Sequence, residues 1–180
     1  MVNATPKLVG AVTDGSTVRR YAFIPAAERQ ADWVEVRFDA IPEADWDSVL
    51  NACDQLEATE TPVLATIRLE GEGGSWSPDD EARVEAFQRV LQHVSWIDVE
   101  VGSRFADKII ALAHKVQRRV VVSSHDFECT PDTEGLKRTY DKAIELGAQD
   151  EGPNGPRGKG FYAGYFRDLD GNKLNVFCMG

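Results

Sequence analysis

Short apolar runs alternate with longer amphipathic ones along this chain. LVGAVTD (8–14), WVEVRFDA (33–40), VLATIR (63–68), WIDVEVG (96–102) and RVVVSSHDF (119–127) read as strands. They are short, rich in Val and Ile, and several are almost continuously apolar, as when both faces of a strand are buried. Between them lie helical patterns. The clearest is SPDDEARVEAFQRVLQHV (77–94), with Ser77 as a cap, Pro78 in the first turn, and Val84, Phe87, Val90 and Leu91 on one face. TPDTEGLKRTYDKAIELGA (130–148) starts in the same manner and stops at Gly147, suited to the C′ position. His93 and His114 fall within helical patterns and read as surface residues.

Strand starts recur about every 23 to 33 residues, five times over. That is the βα rhythm of a parallel sheet, and periodicity alone fits a doubly wound sheet or a barrel equally. No GxGxxG or GxxxxGK[ST] follows the first strand, which removes the commonest nucleotide-binding readings of an open sheet. After Gly147 the pattern changes. AQDEGPNGPRGKG (148–160) holds four Gly and two Pro and reads as a linker. FYAGYFRD (161–168) and KLNVFCM (173–179) flank Asp170-Gly171, a hairpin signal, with Phe161, Tyr162, Tyr165, Phe166 and Phe177 as its packing face.

Composition narrows the function classes. The chain has 180 residues, 42% hydrophobic and 28% charged, a balance that supports a packed core. Thirty Asp and Glu against twenty Lys and Arg give a net charge of −10, which disfavours nucleic acid and anionic membranes as partners. An anionic metabolite would need locally placed arginines. MVNATPKLVGAV lacks a basic segment followed by a long apolar run, so no signal peptide is expected, and no stretch reaches the ~18 apolar residues of a span. Three cysteines without paired spacing (Cys53, Cys129 and Cys178) point away from disulfides and toward a cytoplasmic protein.

Polar residues at strand ends stand out against apolar strand interiors. Glu35, Arg37 and Asp39 alternate in the second strand, and Arg68 ends the third, ahead of Glu72-Gly73-Gly74. Asp98 and Glu100 lie in the fourth, and the fifth ends in Ser123-Ser124-His125-Asp126. In a barrel these converge at one mouth, where arginines, carboxylates and a histidine suit proton transfer on a small anionic substrate. The plainer reading is an ion-pair network that holds the sheet together.

In order and content these segments resemble type I 3-dehydroquinate dehydratase, a (β/α)8-barrel lyase. Glu35, Arg37 and Asp39 match its E-x-R-x-D strand, and Thr66, Arg68, Glu72, Gly73 and Gly74 its T-x-R-x-x-x-E-G-G segment. Asp98 and Glu100 match its D-x-E strand, while Ser123, His125, Asp126, Phe127, Thr130 and Pro131 match its S-x-H-D-F and T-P segments. The resemblance covers about four-fifths of the chain. It implies conversion of 3-dehydroquinate to 3-dehydroshikimate without metal or organic cofactor, with a cyclic anionic metabolite as partner. His125 would move protons, Glu35 would orient it, and Arg37, Arg68, Glu72 and Ser123 would contact substrate. A lysine on the family's sixth strand forms the Schiff base.

Here Gly147-Ala148-Gln149-Asp150 leads instead into the Gly/Pro-rich segment, and no lysine strand follows; Lys142 and Lys159 are the nearest lysines. The length also falls short of the roughly 250 residues of a full barrel. Residues 147–180 resemble the end of a glyoxalase-like vicinal oxygen chelate protein, with Asn175 where its metal-binding glutamate is expected. The expected organisation is therefore a five-stranded partial (β/α) barrel over 1–148, a linker over 149–160 and an antiparallel hairpin over 161–180. The open edge would be covered by that hairpin or by a second chain in a homodimer. Three functions follow: a dehydroquinate dehydratase-like lyase, impaired without its lysine; a catalytically silent chimeric binding or scaffold protein; and, least favoured, a metal-dependent glyoxalase-like enzyme.

Overall fold

The computed structural model describes residues 7–77, 79–127, 129, 131–150, 155–156, 161–167 and 173–179. Five βα units come first. β1 (Val9–Val12) leads to α1 (Gly15–Ala22), β2 (Trp33–Arg37) to α2 (Trp46–Ala58), and β3 (Val63–Thr66) to α3 (Asp80–Val90). β4 (Trp96–Glu100) and α4 (Ala106–Lys115), then β5 (Arg119–Ser123) and α5 (Thr133–Glu145), complete the series. All five strands are parallel and their order in the sheet is β1-β2-β3-β4-β5. A doubly wound sheet reverses its strand order at a switch point. This one never reverses, which settles the choice that periodicity left open in favour of the barrel type of winding.

The strands divide their side chains between two faces. Val34, Val36, Val63, Ala65, Ile97, Val99 and Val120 pack outward against the helices. They meet Val18 of α1, Val49 and Leu56 of α2, Phe87 and Val90 of α3, and Ile109 of α4. Each such fully buried side chain contributes about 1.5–3 kcal/mol relative to exposure. β3 and β4 are buried along their whole length, whereas β1 and β5 are partly exposed, with Val9 43% accessible. The sheet's two edges are therefore its wettest strands.

Helix starts are set by aspartates. Asp14, Asp79 and Asp132 accept hydrogen bonds from the backbone N–H of Thr17, Ala82 and Gly135, at 2.9, 2.7 and 2.7 Å. Hydrogen bonds from Ser16 and Thr17 hold the Asp14 carboxyl down at about 2. The expected Ser77 cap is thus corrected: α3 begins at Asp80, because Asp79 reaches the free amides first. α5 likewise begins after Asp132, not at Thr130. Its end is as expected, with Gly147 at φ 103°.

After α5 come β6 (Gln149–Asp150), β7 (Gly155–Pro156), β8 (Phe161–Arg167) and β9 (Lys173–Met179). β6, β7 and β9 all pair antiparallel with β8, the last from Phe161↔Met179 to Arg167↔Lys173. Among the described residues none of them pairs with β1 or β5. The expected turn at Asp170-Gly171 lies outside the described residues. Among the described residues no helix is long and apolar enough to cross a membrane.

Candidate active site

Because Val34 and Val36 face the helices, Glu35 and Arg37 face the opposite, concave side of the sheet. The register carries that face across the strands: Glu35 lies opposite Leu64, Arg37 opposite Thr66, Thr66 opposite Asp98, and Glu100 opposite Ser123. Toward the strand N-termini this face is aromatic. Trp33 and Trp96 rings lie 4.5 Å apart, and the Arg119 guanidinium sits 5.0 Å from the Trp96 ring centre. Toward the C-termini it is charged.

Arg68 organises the charged end. Its Nη1 donates to Ser123 Oγ at 2.6 Å, lies 2.9 Å from Asp98 Oδ1 and is 3.6 Å from Glu100 Oε1. Ser123 Oγ donates in turn to Asp98 Oδ1 at 2.7 Å. Burial pushes the Asp98 carboxyl up to about 6, outweighing the opposing pull of Arg68 and Ser123. Glu35 accepts from Thr66 Oγ1 at 2.8 Å. Arg37 forks onto Asp39 through Nε at 3.0 Å and Nη2 at 2.9 Å, which raises the guanidinium's already high pKa. Asp39 also accepts from the Ser75 backbone N–H at 3.0 Å, tying the second strand to the loop after the third.

That loop doubles back on itself. Trp76 N–H donates to Arg68 O at 3.1 Å, and Glu70 N–H to Trp76 O at 3.3 Å. Two glycines make the return possible. Gly73 sits at φ 77°, where a Cβ would lie 2.4 Å from the Phe127 ring, and a Cβ on Gly74 would fall 2.1 Å from Arg68 O. Glu72, just before them, accepts from the His125 backbone N–H at 2.9 Å and lies 3.2 Å from His125 Nδ1. The imidazole stacks with Phe127 at 6.2 Å. An open cleft of about 700 Å³ runs past His125 between Glu70, Gly73, Phe127, Arg138 and Thr139.

All six expected site residues thus lie at the C-terminal end of the sheet, in two groups. Arg68 and Ser123 share one network, with Glu35 on Thr66 and Arg37 on Asp39 beside it; Glu72 and His125 form a second pair. The carboxylate hydrogen-bonded to His125 is Glu72, while Glu35 bonds to Thr66. One residue was missed: Arg83, fully buried on α3, which forms an ion pair with Glu100 beneath the loop. The signal for Arg83 was its place at i, i+4 and i+7 with Phe87 and Val90, a charge inside an apolar stripe. Among the described residues no group of three His, Cys, Asp or Glu is placed to hold a metal ion.

Comparison with known proteins agrees with this geometry. Residues 15–149 match the family model of type I 3-dehydroquinase. A 3-dehydroquinate dehydratase of Methanococcoides burtonii is 33% identical over 126 residues, covering 68% of this chain and 54% of the relative. One from Methanopyrus kandleri is 35% identical over 124 residues, covering 69% and 55%. This chain therefore spans about half the length of the curated relatives it matches. Among solved structures, 3-dehydroquinate dehydratase from Geobacillus kaustophilus superposes with a TM-score of 0.65 at 25% identity, over 80% of this chain and 60% of that one. The enzyme from Enterococcus faecalis gives 0.68 at 24%, a likeness of fold. With the matched model covering three-quarters of its length, the chain belongs to the type I 3-dehydroquinase family.

Proposed function

We propose that the C-terminal end of the five-stranded sheet binds 3-dehydroquinate and promotes its dehydration to 3-dehydroshikimate. The observation that carries this reading is the His125–Glu72 pair standing at the same strand ends as the Arg68–Asp98–Ser123 network. His125 takes a proton from the carbon beside the ketone and delivers one to the departing hydroxyl, which leaves as water as the carbon–carbon double bond forms. Glu72 fixes the orientation of the imidazole. Arg37 and Arg68 direct donors toward the substrate's oxygens, Ser123 Oγ, whose proton goes to Asp98, accepts from a substrate hydroxyl, and Glu35 is held in register beside them by Thr66.

A second reading, binding without dehydration, is favoured by one observation. The strand after α5 is Gln149–Asp150, without lysine, and it pairs with β8. An iminium electron sink needs a lysine held against the ketone in a desolvated pocket. On this reading the residues from 149 onward, with their glyoxalase-like 161–180 segment, form a separate unit joined to the dehydroquinase-like portion.

The test is direct. The product's conjugated enone absorbs in the ultraviolet, and borohydride traps an iminium as a mass increase on the protein. Enone formation that is lost in His125→Ala supports the lyase reading. Binding of 3-dehydroquinate with neither enone nor adduct supports the silent one.

A further inference from the structure

We propose that Arg83 is a positioning residue for Arg68, fixing the backbone on both sides of it. The Arg83 Nε donates to the Ile67 carbonyl, the residue before Arg68, at 2.8 Å. Its Nη2 donates to Glu100 Oε2. The other oxygen of that carboxylate accepts the backbone N–H of Leu69, the residue after Arg68, at 3.0 Å. One buried guanidinium therefore holds one peptide flank directly and the other through Glu100.

Arg83 is in turn fixed from its far side. Its Nη1 lies 3.3 Å from both Ser103 Oγ and Asp80 Oδ1, and Asp80 also accepts the Arg104 backbone N–H at 3.1 Å. The planar fork spans four partners at once, which a lysine ammonium on a flexible stem cannot reproduce. The chain leaves β3 at Thr66, so from Ile67 onward it has left the main sheet ladder and keeps only the isolated bridge to Trp76. Arg83 and Glu100 take over that task where the ligand-facing side chain emerges. Burying two charges is costly unless they are paired and fully hydrogen-bonded, and here both are.

The inference rests on the reading that Arg68 contacts the ligand, and two measurements keep the two ideas apart. The first is exchange of the Leu69 amide, followed by NMR in the full chain. Arg83→Met and the milder Arg83→Lys should each speed that exchange at least tenfold, with amides in β1 unchanged; unchanged Leu69 exchange in both overturns the proposal. The second is affinity for 3-dehydroshikimate by calorimetry in a double-mutant cycle with Arg68→Met. Misplacing a contact residue costs on the order of tenfold to a hundredfold. Each single variant should weaken binding by that order, and Arg83→Lys should add nothing once Arg68 is Met. Additive losses mean that Arg83 acts on the site generally, and they overturn the proposal. If the wild-type chain does not bind 3-dehydroshikimate, the ligand reading fails and the Leu69 exchange alone decides whether Arg83 positions that segment.

Discussion

Replacing Asp98 by Asn sets two opposing electrostatic effects against each other at one carboxyl. The Arg68 ion pair at 2.9 Å and the Ser123 hydrogen bond both favour the charged form. Burial between β3 and β5 opposes it, since removing an ion from water costs several kcal/mol even when it is paired. Burial prevails: the folded-state pKa stands at about 6 against an ordinary 3.8. The folded chain therefore holds this proton more tightly than the unfolded chain does. Its stabilising contribution is complete below pH 3.8 and is lost as pH rises through 6. A rise from 3.8 to about 6 corresponds to about 3 kcal/mol. Urea unfolding of wild type and Asp98→Asn, followed by tryptophan fluorescence from pH 3.5 to 7.5, isolates this group because the other titrations cancel in the difference. Wild-type stability relative to the variant should fall by about 3 kcal/mol across that range. A difference that grew with pH would show that the ion pair with Arg68 outweighs burial, and would refute the reasoning.

Other perturbations probe the remaining parts. Gly73→Ala forces a Cβ into the Phe127 ring at positive φ and should cost about 1–3 kcal/mol in thermal unfolding; an unchanged melt would contradict the loop path. Asp79→Ala should cost about 1 kcal/mol and Ser77→Ala almost nothing, since Asp79 caps α3. Glu72→Gln should reduce enone formation more than Glu35→Gln, because Glu72 touches the imidazole; the reverse order would restore Glu35 as the orienting carboxylate. If the partly exposed β1 edge is where two chains associate, sedimentation should show a concentration-dependent dimer that Val9→Lys abolishes; a monomer at all concentrations would refute it.

Strand positions were legible because short Val- and Ile-containing runs recur at βα spacing, and each of the five appears within its predicted range. The strand order was not, since periodicity carries no information about which neighbour a strand chooses. Asp98 and Glu100 were visible as polar residues inside an apolar strand, where a carboxylate needs a partner. Their partners were less so. Arg68 lies thirty residues away, and Arg83 is disguised as an ordinary charge on an acidic helix. The His125 partner could not be read because Glu72 reaches it only through a loop reversal that depends on Gly73 and Gly74. The double glycine was the trace of that reversal. The caps of α3 and α5 fell two residues late, at Asp79 and Asp132, where serine or threonine and aspartate competed for the same free amides.

The way the arginines are occupied bears on what they can recognise. A ligand carboxylate is best gripped by a guanidinium fork whose two parallel N–H groups are free. Arg37 has given its Nε–Nη2 fork to Asp39, and Arg68 has its Nη1 committed to Ser123 and Asp98. Each is thereby close to electrically neutral as a pair, yet each guanidinium carries five N–H donors, and both keep some to spare, Arg68 on its Nε–Nη2 side and Arg37 at Nη1. A neutralised arginine with spare donors suits a hydroxyl, which needs direction and gains little from charge. On the proposed reading, this network would serve the hydroxyl groups of a polyhydroxylated ring, and His125 beside it would move the proton. Strong binding of a carboxylate needs a cation outside this network. In a chain of net charge −10 such a cation would have to stand close to the site to outweigh the general field.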